Sequence, residues 1–301
     1  MAPRPLRAAT RGSALALRQT GIVAGLLAEA GGAATEPVVV STTGDRQPDN
    51  PIGAMGGKGV FVKEVQAAVL DGRADIAVHS AKDLPSSTPE GLVLAAVPRR
   101  GDPRDALVGC RLVELRAGAT VATGSVRRRA QLAWTRPDLV FAELRGNIAT
   151  RLDRAGAFDA IVMAVAALQR LGLEPEVLDV LEPGVFVPQA GQGAIAVECR
   201  ADDRAVLETL LAVEHEPSRR AVDAERAFLA ELGGDCGLPA GAHATIGSAG
   251  GLELTGLLAS LDGKVLVRDT RKGTDPEPLG RAVARHLLDH SGGRKLLEPA
   301  P

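Results

Sequence analysis

A thiol and a carboxylate are the two groups whose surroundings point to chemistry. Cys236 sits in Gly-Gly-Asp-Cys-Gly-Leu-Pro-Ala-Gly, where Gly233, Gly234, Gly237 and Pro239 oppose regular structure and favour exposure and the close approach of a ligand. Asp83 sits in His79-Ser-Ala-Lys82-Asp83-Leu-Pro85, directly after a short apolar run, and Pro85 biases Leu84 toward extended backbone, which fixes the turn. A carboxylate at the carboxyl end of a strand lies where open α/β sheets bind ligands. The thiol is thus a candidate attachment point and the carboxylate a candidate acid or base. Each has a plainer reading: a free cysteine is often a small core residue, and a Lys82–Asp83 pair can serve its turn alone. Cys110 and Cys199 are left as core residues. With three cysteines and no CxxC pair, a disulfide framework is not expected and a reducing compartment is. The five histidines lack ligand spacing, so no metal site is expected.

Arginines recur where strands end. Ala122-Thr123-Gly124-Ser125-Val126-Arg127-Arg128-Arg129 follows one strand pattern and opens a helix; Leu144-Arg145-Gly146-Asn147, with Arg151 one turn on, follows the next. Arg170 ends a later helix, and Thr10-Arg11-Gly12-Ser13 precedes the first one. Free N–H groups at a helix start attract anions, and hydroxyls with guanidiniums add charge-assisted donors. A single such arginine is commonly a solvated surface charge. Several at matching positions, in a chain of net charge −2, call for an anion to join them. No GxxxxGK[ST] or GxGxxG loop supports a nucleotide phosphate. Five Phe, one Trp and no Tyr leave few partners for stacking bases, so nucleic acid is not an expected partner.

The elements that must position these groups alternate between helix and strand. A helix over residues 13–30 is expected to bury Leu15, Leu17, Ile22, Val23, Leu26 and Leu27, and its apolar stretch Gly21–Ala28 reads as a helix face rather than a targeting segment. Strands are expected over 37–41, 75–78, 92–97, 120–122, 139–144, 160–163 and 194–198, and helices over 59–70, 125–134, 148–155 and 165–171. This alternation implies parallel sheets with helices on both faces. Residues 98–103 and 188–193 read as two crossings between lobes, and 50–59 as a glycine-rich candidate lid. After residue 216 the style changes: a helix over 218–232, strands over 242–246, 252–258 and 265–269, and a helix over 277–290 form a small α+β domain. The division is 1–98 with 194–215 as the first α/β lobe, 99–193 as the second, and 216–301 as the domain with the cysteine loop. No apolar run approaches the ~18 residues of a membrane span, and a cytoplasmic location follows.

Taken in order, Ala9-Thr-Arg-Gly-Ser13, Gly56-Gly-Lys-Gly-Val-Phe-Val-Lys-Glu64, Ala74-Asp-Ile-Ala-Val-His-Ser-Ala-Lys-Asp83, Asp102-Pro-Arg-Asp105, Leu144-Arg-Gly-Asn147, Gly191-Gln-Gly193 and Cys236 resemble the porphobilinogen deaminase family across almost the whole chain. The resemblance implies two periplasmic-binding-protein-like α/β lobes with a central cleft, plus a small C-terminal α+β domain. It implies a monomeric transferase that joins four porphobilinogen molecules head to tail, with release of ammonia, and then releases hydroxymethylbilane by hydrolysis. The implied cofactor is dipyrromethane, held by a thioether to Cys236.

Carried over residue by residue, Asp83 matches the family's catalytic aspartate. Lys82, Thr123, Ser125, Arg127, Arg128 and Arg145 match cofactor-binding positions. Arg11, Ser13, Arg151, Arg170, Gln192 and Lys58 match substrate-binding or neighbouring cleft and loop positions. Each pyrrole brings an acetate and a propionate, which accounts chemically for the arginine supply. Gly124 and Ala54 depart from the resemblance, standing where some relatives have serine and lysine. A two-lobed solute-binding protein for small anions is the alternative, which gives Cys236 no role; an effector-sensing regulator is a third reading, for which no helix-turn-helix is evident. An intact mass exceeding the sequence by one dipyrromethane separates them.

Overall fold

The structure is a computed structural model that describes residues 4–32, 34–46, 59, 61–233 and 237–298. Cys236, Lys58, Ala54 and all but Gly59 of the expected lid lie outside the described residues. In chain order the elements are β1 (Leu6–Arg11), α1 (Ala14–Glu29), β2 (Thr35–Val40), α2 (Thr43–Arg46), α3 (Lys63–Leu70), β3 (Ile76–Ser80), β4 (Leu92–Ala96), β5 (Asp105–Val108), β6 (Thr120–Ala122), α4 (Val126–Thr135), β7 (Val140–Ala142) and α5 (Ile148–Asp153). They continue with β8 (Ala160–Ala164), α6 (Val165–Leu171), β9 (Leu178–Leu181), β10 (Ile195–Arg200), α7 (Arg204–Leu211), α8 (Glu216–Glu231), β11 (Ala240–Ile246), β12 (Leu252–Ala259), β13 (Leu266–Gly273), α9 (Pro276–His290) and α10 (Gly293–Leu297). Backbone contacts divide the chain into one unit of Met1–Gly101 with Gly193–Arg219 and another of Asp102–Gln192 with Arg220–Pro301.

The first unit is built on a five-stranded sheet of order β2-β1-β3-β10-β4. β1 runs parallel to β2 and β3, as βαβ connections require, whereas β10 runs antiparallel to β3 and β4. The sheet is therefore mixed, which corrects the expectation of a parallel sheet. β10 arrives from a distant part of the chain and not through a βαβ crossover, so nothing forces it parallel. One face packs Val23, Leu27, Ile76, Val197 and Leu210; the other packs Val65, Ala68, Val69, Ala77 and Leu92. α1 begins where the Ser13 side chain accepts from Ala16 N at 3.3 Å, an N-cap worth about 1 kcal/mol. Its buried residues are Gln19, Thr20, Val23 and Leu27, while Leu17 is 39% exposed, against expectation. The polar pair is buried because it is bonded: Gln19 Nε2 donates to Ser80 Oγ at 2.9 Å and Thr20 Oγ1 donates to Ala16 O at 3.0 Å.

The second unit repeats the plan. Its sheet has the order β7-β6-β8-β5-β9, with β6 parallel to β7 and β8, and β5 antiparallel to β8 and β9. Leu107, Val121, Leu132 and Val162 fill one face; Val108, Ala122, Ile161, Met163 and Leu168 fill the other. An antiparallel sheet β11-β12-β13 completes this unit, its core made by Phe228 of α8, Leu254 and Leu258 of β12, and Val283 and Leu287 of α9. Ala130, Val187, Leu257 and Ala259 form a further core cluster within the same unit.

Candidate functional site

In the first unit, the carboxyl ends of β1 and β3 place Arg11, Ser13, His79, Ser80 and Asp83 around one small cavity of about 60 Å³, with Gln19, Phe61 and Val62 among its other lining residues. Asp83 is held there by a single 3₁₀ turn, Ala81–Asp83, that leaves β3 and ends when Leu84 returns to extended backbone before Pro85. Two candidates separated by more than 70 residues of sequence, Arg11 and Asp83, therefore line the same space. Lys82 is part of the same turn.

Beneath them lies a buried polar trio that the sequence reading did not single out. His79 Nε2 is 3.1 Å from Glu198 Oε2, an ion-pair contact not aligned as a hydrogen bond, and Gln66 Nε2 donates to both Glu198 oxygens at 3.1 and 2.9 Å.

Arg11 is held on two sides. Its Nε lies 3.2 Å from both carboxylate oxygens of Asp45, its Nη2 also donates to Asp45 Oδ1, and its guanidinium stands over the Phe61 ring, 4.1 Å from the centroid. Burial pushes the Asp45 carboxyl up, but hydrogen bonds from Arg11 and Thr42 outweigh it and hold the group below its ordinary range.

In the second unit, the candidates cluster at the carboxyl ends of β6 and β7. Ser125 caps α4, accepting from Arg128 N at 3.4 Å, and its own N–H donates to Thr123 Oγ1 at 3.2 Å. Asn147 caps α5 by accepting from Thr150 N at 3.0 Å. Arg127 and Arg128 point inward: they are 3% and 6% exposed and share one fully buried carboxylate, Asp105. Arg127 Nη2 donates to Asp105 Oδ2 at 2.8 Å and its Nη1 to Val187 O at 2.7 Å; Arg128 Nε donates to Asp105 Oδ1 at 2.9 Å and its Nη1 to Val162 O at 2.9 Å. Gln192, also buried, donates to Asp105 Oδ1 at 2.9 Å and Pro103 O at 2.7 Å. Two guanidiniums thus face one carboxylate, and Arg127 Nε is buried without a hydrogen-bond partner among the described residues. Burial pulls the Arg127 pKa down, with Asp105 opposing it and Arg128 adding to it.

The remaining arginines are more open. Arg145 lies 3.4 Å from Glu143 Oε2, Arg151 Nε donates to Gly146 O at 2.8 Å, and half-buried Arg170 has its pKa lowered by burial. Gly124 has a steric reason: a Cβ there would stand 2.9 Å from Leu144 O. Cys199 is fully buried and burial pushes its thiol up to about 11, which keeps it protonated and unreactive at neutral pH.

Beyond the buried trio, Asp45 and Asp105 are residues to which the sequence reading gave no role. A spacing signal existed for the first, since Thr42 and Asp45 stand three apart, as in a capping box. For the second, an acidic residue opens the otherwise apolar strand Asp105-Ala-Leu-Val, which demands a buried counter-charge.

A carboxylate and an arginine at the strand ends of one sheet, and hydroxyls and guanidiniums at the strand ends of the other, define an α/β protein with candidate anion-binding groups in each unit. Residues 6–208 match the family profile "Porphobilinogen deaminase, dipyromethane cofactor binding domain", and residues 220–289 match "Porphobilinogen deaminase, C-terminal domain". The chain is 49% identical to a porphobilinogen deaminase of Roseiflexus castenholzii, covering 96% of this chain and 97% of that protein. It is 47% identical to one of Syntrophobacter fumaroxidans, covering 99% and 98%, and 45% identical to one of Brevibacillus brevis, covering 96% of each. The chain belongs to the porphobilinogen deaminase family. Among solved structures it is also similar to immunogenic lipoprotein A of Vibrio vulnificus, at 13% identity and a TM-score of 0.42 over 72% of this chain and 98% of that one. No helix among the described residues is long and apolar enough to cross a membrane.

Proposed function

We propose that this transferase condenses four porphobilinogen molecules stepwise, head to tail, on a dipyrromethane primer and then releases hydroxymethylbilane. Asp83 is the catalytic carboxylate, Arg11 and Ser13 receive substrate carboxylate, and Cys236 is the anchor. What carries the assignment of Asp83 is its place beside Arg11 in one cavity: a pyrrole whose carboxylate meets the arginine brings its ring nitrogen within reach of an acid/base group. Loss of ammonia from the substrate leaves positive charge on its pyrrole. A fixed carboxylate stabilises that charge and accepts the proton lost when aromaticity returns. Asp83 is suited to this by its turn, which holds it at the carboxyl end of β3 without an arginine of its own among the contacts described above.

The second unit fits the primer in charge. Dipyrromethane bears carboxylates, and the paired Arg127 and Arg128 exceed their one buried counter-ion, with Arg127 Nε unpaired among the described residues. Thr123, Ser125 and Arg145 are proposed to complete that receptor, and Lys82 is proposed separately as a cofactor-binding residue. Arg151, Arg170, Gln192 and Lys58 are proposed to serve the incoming pyrroles. When bound, the primer supplies a nucleophilic terminal pyrrole; the chain's own part is to hold carboxylates, orient rings and move protons. The division into two lobes and a C-terminal domain from residue 216, action as a monomer, and independence from nucleic acid are part of this reading, the last supported by a net charge of −2 and few aromatic residues.

Intact mass of the purified protein tests it. The expected mass exceeds the sequence by one dipyrromethane and returns to the sequence mass in Cys236→Ser. A wild-type protein at sequence mass, with full turnover of porphobilinogen, would rule out the anchored primer. Asp83→Asn should keep the mass excess and lose turnover by roughly 10²–10³-fold.

A further inference from the structure

We propose that Asp45 is a positioning residue for the proposed reaction: together with Phe61 it holds the Arg11 guanidinium so that its remaining donors meet a substrate carboxylate beside Asp83. This rests on the reading of Arg11 as a substrate receptor. Three independent features build the support. First, Thr42 and Asp45 form a reciprocal cap at the start of α2, Thr42 N donating to Asp45 Oδ2 at 3.2 Å and Asp45 N to Thr42 Oγ1 at 3.3 Å. Thr42 Oγ1 also donates to Asp45 Oδ2 at 2.7 Å, so the carboxylate is fixed before Arg11 reaches it. Second, the short helix is tied to α3, because Glu64 Oε1 accepts from both Thr43 N at 2.8 Å and Thr43 Oγ1 at 2.7 Å. Third, Gly44 makes room for the aromatic platform: a Cβ at that position would stand 2.0 Å from Phe61 Cε1 and 2.4 Å from Cδ1.

The result is a directed guanidinium. An arginine has five N–H donors in a rigid fork. Asp45 takes one edge through Nε and Nη2, and Phe61 covers one face. Three donors, two on Nη1 and one on Nη2, are left for a ligand, and no other partner holds Arg11 among the described residues. An unsupported arginine would sample many rotamers and lose more freedom on capturing a carboxylate. The fixed carboxylate also keeps the charge of Arg11 balanced while no anion is bound.

A double-mutant cycle on primer-loaded protein, with loading confirmed by intact mass, tests the proposal. Arg11→Met is expected to raise the KM for porphobilinogen. Asp45→Asn is expected to raise it about tenfold, the scale of losing a supporting partner, with kcat within about threefold. Asp45→Glu should recover part of that loss. In the Arg11→Met background, Asp45→Asn should add less than about twofold, because Asp45 acts through Arg11. Three results would overturn the proposal. Unchanged KM in Asp45→Asn while Arg11→Met raises it would remove the positioning role and leave the receptor intact. A full further effect of Asp45→Asn without Arg11 would make it a general structural residue. Unchanged KM in Arg11→Met would remove the receptor itself.

Discussion

Arg11 in the first unit and the Arg127–Arg128 pair in the second are built from similar local parts and held in opposite electrical surroundings. Each stands near the end of a strand, beside a serine that caps the following helix. Arg11 meets its aspartate near the surface, one to one, and keeps donors in hand. The second pair is sealed inside, two cations to one anion, bonded to Asp105 and to the carbonyls of Val187 and Val162. A surface pair contributes little to stability and is free to serve a ligand; a buried cluster is costly to break and must be compensated from within. The same pattern of residues can therefore form an open or a sealed receptor, and the burial of the carboxylate that each arginine meets decides which.

Asp105→Asn should expose that contrast most sharply. It keeps the shape but leaves two buried guanidiniums with no carboxylate, a loss on the order of 3–5 kcal/mol in the stability of the second unit. Denaturant unfolding of the primer-free protein measures it. A loss below about 1 kcal/mol would mean that the cluster is not the electrostatic core it resembles.

Gly44→Ala comes next. The new methyl would sit inside van der Waals contact of the Phe61 ring, so the ring must turn away, at about 1–3 kcal/mol. Because Phe61 carries the Arg11 guanidinium, substrate affinity should fall with stability. A variant that folds with unchanged stability and unchanged KM would show that the platform is dispensable.

The parts of this comparison differ in how far the sequence reveals them. The caps are local: Ser125 and Asn147 follow a strand pattern directly and Ser13 opens a helical one, so the helix starts that carry the arginines are legible. Most helices and many strands fall within a few residues of expectation for the same reason. β1, β5 and β9 were not expected. Leu-Arg-Ala-Ala-Thr-Arg has small and charged residues in place of an alternating pattern, although Ala8 and Ala9 are fully buried, and Asp105-Ala-Leu-Val is only four residues long. The antiparallel course of β10 has no local signature at all, since strand direction is set by topology. α1 misleads in another way: its periodicity counts Leu17 as core, whereas Gln19 takes that place through a bond to Ser80, 61 residues away. Asp45 and Asp105 act through partners 34 and 22 residues distant, and no spacing rule reaches that far.

Arg127→Met sharpens the comparison from the other side. It removes the surplus cation and leaves Asp105 balanced by Arg128 and Gln192. Val187 O keeps a donor, because Gln131 Nε2 also reaches it at 3.0 Å. The expected cost is about 1 kcal/mol or less, well below that of Asp105→Asn although both residues are buried. Equal losses in the two variants would mean that packing, not charge balance, governs the site.

The smallest expected effect is on the stability contributed by Asp45. The pair with Arg11 is partly exposed, side-chain exposures being 24% and 27%, so solvent screening limits Asp45→Asn to about 0.2–1 kcal/mol at neutral pH. Asn still accepts the bond from Thr42 N, which keeps the cap. The pH dependence has a definite sign. The Asp45 carboxyl titrates below its ordinary value in the folded chain, so its contribution is complete above the unfolded pKa of about 3.9 and fades as pH falls through the lower folded value. The stability difference between wild type and Asp45→Asn should be flat from about pH 8 to pH 5, and should shrink below about pH 4. It should also shrink in 1 M salt, where the screening length drops to about 3 Å. Urea unfolding at several pH values reads this directly. A difference that grows as the pH falls, or one of several kcal/mol at pH 7, would place Asp45 with Asp105 as a buried structural charge and erase the distinction between the two arginine sites.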